Sequence, residues 1–504
     1  MDILETFRAK TQRRDVAWFT FFLISGLLLI SLAILQPVGF VVLVVAVIVI
    51  SCIPWVVVRA RQIDLELWQW MLLIALTGYM LFNYGFENVT IHIGGLPFIV
   101  SYGLMYGCLA LAAYEHPTLM AKTFKDPGML CLGVLILQTF VHLYFDLPRY
   151  KLWAIRDATM FLDGIFLTLG LLWAMKWNNI VLLMKWLAGY FIVNLLYSYT
   201  LPWGQAISGI SPKSGVFNQV ALFGSYWGNA EFLLFGTFFC LFLAKYVVRW
   251  PRWMLILLAV AQLFGLAITQ ARAMYVALFV SLIVLLFVGK AKQSLQVMLI
   301  LLLAMIPLLL LTVSGIQLRG RIGEVNMDFI TQHMRSITGA RATPGMSNDD
   351  RLDWFEQGLQ HFYKHPWFGV GFGSALIDAK DAITGAPIRM PHNSTITVMA
   401  RLGASGFLFW AIFLLYVFWQ FIYAIRRRGR GDKQLDDIIL WLFLFFIAFM
   451  IGISCEPGLE FPSGSVPFYF FLGLALGVIR WQFRQAWVGV NSSAMRAPDV
   501  GLSE

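Results

Sequence analysis

Apolar residues run along this chain in long blocks separated by short polar turns. Fourteen blocks can be read, at 17–35, 38–58, 67–85, 95–113, 129–145, 157–175, 180–199, 229–247, 253–270, 272–289, 295–314, 394–424, 436–454 and 465–481. Each approaches the ~20 residues with which an α-helix crosses ~30 Å of hydrocarbon. The pattern predicts an all-α polytopic membrane protein with about fourteen transmembrane helices. The first block is followed at once by the second, with no convincing small-residue cleavage site, so it reads as a retained helix.

One long interruption, 315–391, separates the eleventh and twelfth blocks. The expected organisation is eleven spans in 1–314, a large helical loop in 315–391, three spans in 392–482 and a tail in 483–504. A loop of that length inside a compact protein is usually functional. Within "NDDRLDWFEQGLQHFYKHPWFGVGFG" (348–373), Leu352, Phe355, Leu359 and Phe362 recur at helical spacing and Pro366 marks a stop. An amphipathic helix followed by a glycine-rich turn is expected. No strand precedes "GVGFG" and no helix clearly opens after it. It reads as a tight turn allowing close backbone approach, not as a dinucleotide loop.

Composition agrees with the pattern. The 504 residues are 60% apolar and 13% charged, against about 45–50% and ~25% in soluble domains. Four of the five cysteines lie inside apolar blocks and none stands in a CxxC or Cys/His spacing, which argues against a disulfide framework or a zinc site. The net charge of +10 is informative by position. Termini and loops on one side of the membrane carry 22 Lys and Arg, against 5 in the short loops of the other. The positive-inside rule then puts both termini in the cytoplasm and the long loop outside. "RRRGRGDK" (426–433) reads as a cytoplasmic anchor and not as a nucleic-acid patch. Cytoplasmic connections are short and contain no P-loop, so chemistry is expected on the external face without ATP.

Three basic residues fall on that face. Arg272 stands at a turn of almost no length between two blocks, Arg351 opens the loop helix, and His392 precedes the twelfth block. Each has an ordinary structural reading, as a snorkelling anchor or a helix cap. Together, on the side where positive charge is disfavoured, they point to an anionic ligand, and bidentate arginine suits phosphate. Glu456 and Glu460, in "SCEPGLEFPSGS", share the face. Asp163, Glu231 and Arg401 fall within or at the ends of blocks, where charge is a functional candidate.

"TQARAMYVALFVSLIVLLFV", the loop-helix stretch and "PHNSTITVMARLGASGFLFW" resemble, in order and spacing, signatures of the O-antigen ligase and polymerase superfamily. "SGVFNQVALFGSYWGNAEF" (214–232) is similar to a further stretch of that family. The similarity covers roughly 210–424; many members carry Ser where this chain has Gln270-Ala271 before the arginine. The resemblance implies a bacterial inner-membrane glycosyltransferase with a periplasmic loop, inverting and metal-independent, using no cofactor. It implies an undecaprenyl-diphosphate-linked oligosaccharide donor and a glycan or lipid A-core acceptor, with membrane lipid and a chain-length regulator as further partners. Carried over by motif, Arg272 and Arg351 would hold the diphosphate and His392 would be the catalytic histidine. Glu456, Glu460, Asn393 and Asn218 are secondary candidates for acceptor or pocket contacts. The alternative is a lipid-linked glycan flippase or transporter, which would place its polar groups at the midplane and show internal repeats.

Overall fold

The computed structural model describes residues 65–494 except 94–95, 218, 227, 315–319, 322, 325–330, 332–347, 381–386 and 430–431. The blocks 17–35 and 38–58 and the end of the tail lie outside the described residues. Every apolar block from 67 onward is helical. The main helices are α1 (Leu67–Phe82), α2 (Val100–Glu115), α3 (Pro127–Tyr150), α4 (Leu152–Leu162), α5 (Leu167–Trp173), α6 (Trp177–Tyr199), α7 (Asn229–Phe242), α8 (Arg252–Thr269), α9 (Arg272–Phe287) and α10 (Ala291–Ser314). They continue with α11 (Asn348–Lys364), α12 (Ser394–Arg426), α13 (Lys433–Cys455) and α14 (Pro462–Ala494). Seven of the described helices are long and apolar enough to cross a membrane, and α1, α7 and α9 are shorter apolar helices. The protein is an all-α, multi-pass membrane protein. Among the described residues, three two-stranded antiparallel hairpins stand in the connections.

Burial sorts the helices. α13 and α14 are the most enclosed, at 72% and 89% of their apolar windows, whereas α3 and α10 are only 28% buried. Leu137, Phe140, Tyr144 and Phe145 of α3 face outward, as lipid-facing side chains do. In the centre, Phe235 of α7 stacks on Trp441 of α13 with centroids 3.8 Å apart, and the Trp441 indole N–H donates to the Phe235 carbonyl at 3.1 Å. At the end rich in basic loops, Asp437 accepts from Lys245 (2.9 Å), Lys290 (3.1 Å) and Tyr246 (2.9 Å), tying two connections to the start of α13.

Two features position the opposite face. α11 forms where the apolar spacing predicts it and ends at Lys364, just before Pro366; of the four predicted apolar positions Leu352 stays exposed, at 62%. α12, at 33 residues, is longer than the hydrocarbon thickness requires. It breaks at Gly403, whose φ of 65° a side chain would resist. The N–H groups freed at the break are taken by the loop that follows α11: Ala404 N–H donates to the Pro366 carbonyl (2.7 Å) and Ser405 N–H to that of Trp367 (3.2 Å). The break in α12 is therefore held by the 365–373 segment that follows α11, and the 394–402 arm before it is the one that follows His392.

The loop's glycine-rich turn is held by charge. Asp157 of α4 accepts from Arg401 (2.7 Å), from Arg389 (3.4 Å) and from the Gly373 N–H (3.1 Å). The Phe372 N–H goes to Asp146 at 2.7 Å. The backbone donors of "GVGFG" at 372 and 373 thus already serve carboxylates of this chain. Arg401, fully buried, is the centre of this lock.

Candidate functional site

Arg272, Arg351 and His392 come from three separate elements, and Glu456 is where they meet. Arg351, in the first turn of α11, donates to the Cys455 carbonyl at 2.9 Å and to Glu456 Oε1 at 3.1 Å. A guanidinium suits this place, because the carbonyls ending α13 have no partner within their own helix. His392 Nδ1 lies 3.9 Å from Glu456 Oε2. Its ring packs against the Trp354 indole, 5.0 Å between centroids; Trp354 follows Arg351 by three residues and so shares its face of α11. Arg272, the first residue of α9, sits in the electrostatic field of Arg351, Glu456 and Arg321.

His392 has a φ of 52°, the left-handed region that non-glycine residues seldom occupy. Gln270 (55°) and Asn83 (47°) share that strain. Asn83 lines the cleft described next, and Gln270 lies two residues before Arg272. Such strain persists only where the surroundings impose it, and it gathers at functional sites.

Beside Glu456 opens a cleft with about 620 Å³ of empty space. Arg272, Arg321, Glu231 and Glu456 line it, with Asn83 and backbone from Gly228, Ala271, Gly452, Gly458, Ser463 and Gly464. Three helices begin at its wall: α7 at Asn229, α9 at Arg272 and α14 at Pro462. Helix N-termini carry partial positive charge and spare N–H donors, which makes them anion sites when they converge with guanidinium groups. Burial, with Arg351 acting in the same direction, lowers the pKa of Arg321, and Glu456 opposes the shift.

The secondary candidates take different places. Asn393 caps α12, accepting from the Ile396 N–H at 3.1 Å, and its amide donates to the Ser454 carbonyl at 2.9 Å, so it ties the His392 segment to the end of α13. Glu460 is buried and accepts from Ser394 (2.5 Å) and Thr397 (2.6 Å), holding the 456–461 turn against α12; burial raises its pKa, against the pull of those two hydroxyls. Asn218 lies outside the described residues. Arg321 was not among the candidates read from the sequence. "QLRGRIGE" has no helical period, and only the glycines flanking the arginine mark a turn.

Fold and site define the class: a multi-pass α-helical membrane protein with a cleft lined by two arginines and two glutamates where several of its helices begin. Residues 256–411 match the family model described as O-antigen ligase. The matched stretch contains Arg272, Arg321, Arg351 and His392. The family implies, in general terms, ligase- or polymerase-type transfer from a lipid-linked glycan donor to a glycan acceptor. No curated protein matches the chain.

Proposed function

We propose that this protein is an inner-membrane glycosyltransferase that moves a glycan from an undecaprenyl-diphosphate carrier to an acceptor sugar hydroxyl on the periplasmic face. It acts as a surface-polysaccharide polymerase or as an O-antigen ligase, and both termini lie in the cytoplasm. The observation that carries this reading is the convergence on Glu456 of Arg351 at 3.1 Å and His392 at 3.9 Å, with Arg272 lining the adjoining cleft. Arg272 and Arg351 bind the diphosphate. His392 takes the proton of the acceptor hydroxyl as its oxygen attacks the anomeric carbon. The bond from that carbon to the diphosphate oxygen breaks, and the electron pair leaves with the polyprenyl diphosphate. One displacement inverts the anomeric centre.

The leaving group needs charge stabilisation more than protonation. Arginines fixed before the reaction supply it, so the scheme calls for no metal ion. Glu456, beside Nδ1, orients the imidazole and leaves the other ring nitrogen to act as the base. A placed general base contributes about 10²–10⁴-fold.

The test uses purified protein with carrier-linked repeat units. His392→Ala should reduce transfer within that range, and Arg272→Ala and Arg351→Ala should suppress it as well. Full turnover by His392→Ala would remove the base from the scheme, and retention of anomeric configuration in the product would exclude a single displacement. Gels of surface polysaccharide from a deletion strain separate the two activities. Single repeat units on core mean polymerase; bare core means ligase.

A further inference from the structure

Arg321 reaches the cleft by an unusual route. It follows α10 in the external loop, far in sequence from the turn at Arg272. The 320–323 turn closes on itself, Gly320 N–H to Gly323 carbonyl at 2.7 Å, and then docks on the 268–270 segment. The Gln270 amide clips it at Gly323: its NH₂ donates to the Gly323 carbonyl (3.2 Å), and its oxygen accepts from the Gly323 N–H (3.1 Å). A third contact runs from the Arg321 N–H to the Ile268 carbonyl at 3.4 Å. Gly320 is packed so closely on the clip that an added Cβ would lie 2.6 Å from the Gln270 amide. The left-handed backbone of Gln270 (φ 55°, ψ 34°) ends α8 and lets α9 start two residues later at Arg272. One strained residue thus sets both guanidinium groups.

Charge gives the arrangement a purpose. The cleft is lined by two carboxylates, Glu231 and Glu456. Glu456 is already engaged by Arg351 at 3.1 Å, which leaves Arg272 as the guanidinium of the turn at 268–272 facing the cleft. Arg321 adds a second. It lines the cleft, and the carboxylate acting on it is Glu456, which also binds Arg351.

We propose that Arg321 is a third diphosphate-binding residue of the cleft and that the Gln270 clip is the device that positions it. This rests on the reading of the cleft as the diphosphate site. The guanidinium contacts the diphosphate of the carrier; Gln270 acts through Arg321 and is a positioning residue.

The test is equilibrium binding of farnesyl diphosphate and farnesyl monophosphate to the full-length protein in nanodiscs. Arg321→Ala should weaken diphosphate binding roughly 10- to 100-fold, the worth of a charge-assisted hydrogen bond. It should also erase most of the preference over monophosphate. Arg321→Lys, which keeps the charge and the fold, should recover part of the affinity. Gln270→Ala should weaken diphosphate binding less than Arg321→Ala does, and should add little in an Arg321→Ala background. If Arg321→Ala and Arg321→Lys both bind diphosphate like the parent while Arg272→Ala does not, the inference fails and the diphosphate cleft stands. If Arg272→Ala also binds unchanged, the reading of the cleft itself fails.

Discussion

Replacing Asp157 with Asn should unsettle the glycine-rich turn after α11 from a distance. Asp157 and Arg401 are each 1% exposed at the side chain and 2.7 Å apart. Asp157 also accepts from Arg389 and the Gly373 N–H, so one carboxylate joins α4, the glycine turn and α12. Without its charge, Arg401 keeps only the Gly371 carbonyl (3.0 Å) and Ser374 Oγ (3.4 Å). A guanidinium would then be buried without the carboxylate that touches it, and Asp146 would act on it only electrostatically. Removing one partner of a buried pair costs about 3–5 kcal/mol; Asn, which still offers an oxygen, falls at the lower end and Ala at the upper. The assay is denaturant unfolding of the detergent-solubilised protein, followed by tryptophan fluorescence. The double variant Asp157→Leu with Arg401→Met removes both charges at similar volume and should recover most of the loss. The reasoning is refuted if Asp157→Asn unfolds with the parent, or if the double variant is no more stable than either single one.

Glu456→Gln should separate chemistry from stability. Its ion pair with Arg351 is about a quarter exposed on each side, so stability should change by under ~1 kcal/mol, while turnover should fall by roughly 10²-fold as His392 loses its orienting carboxylate; an unfolding loss as large as that of Asp157→Asn would instead make the residue structural. Gly403→Ala should destabilise the protein by about 1–3 kcal/mol, because a Cβ there would lie 2.5 Å from the Trp367 carbonyl carbon; limited proteolysis after Lys364 should rise with it, and an unchanged digest would count against the anchoring of the loop. Burial raises the Glu87 carboxyl from 4.5 to about 7. Its protonated form is therefore favoured by folding: that stability is complete below pH 4.5 and is lost as pH rises through about 7, a change on the order of 3 kcal/mol. Unfolding midpoints from pH 4.5 to 8 should fall less steeply in Glu87→Gln than in the parent, where other buried carboxyls such as Glu460 add to the slope; parallel slopes would rule out a contribution from Glu87.

How much of this was legible in the chain follows from what each feature depends on. Helix positions are set by the length of apolar runs, a local property, and the blocks from 67 onward emerge as helices. The break at Gly403 is hidden, because "RLGASGF" keeps its apolar rhythm and the cost of the break is met by carbonyls at 366 and 367. Arg272 and Arg351 could be singled out because each stands at the edge of a periodic segment. Arg321 could not, since its place is fixed by an amide fifty-one positions earlier in the chain. Glu460 is chemically indistinguishable in sequence from Glu456, yet it is buried under two hydroxyls while Glu456 stands between a guanidinium and an imidazole.

The convergence of helix N-termini at the cleft is the least local feature, yet it has a simple root. α7, α9 and α14 correspond to the eighth, tenth and fourteenth apolar blocks. In a chain that crosses back and forth, every second segment enters from the same face. Their N-terminal dipole ends must therefore gather on that face, and the C-terminal ends of the odd ones, such as α13, arrive beside them. An anion site needs the first kind and must neutralise the second. Arg351 and Asn393 do so for α13 by capping the carbonyls of Cys455 and Ser454. Arg351 therefore has two duties that a single substitution would conflate. Arg351→Lys keeps a charge near Glu456 but loses the fork that reaches the Cys455 carbonyl at the same time. It should retain diphosphate binding better than Arg351→Ala while still displacing His392, visible as turnover lost more than affinity. If Arg351→Lys instead lost affinity and turnover in equal measure, the capping duty would have no part in catalysis.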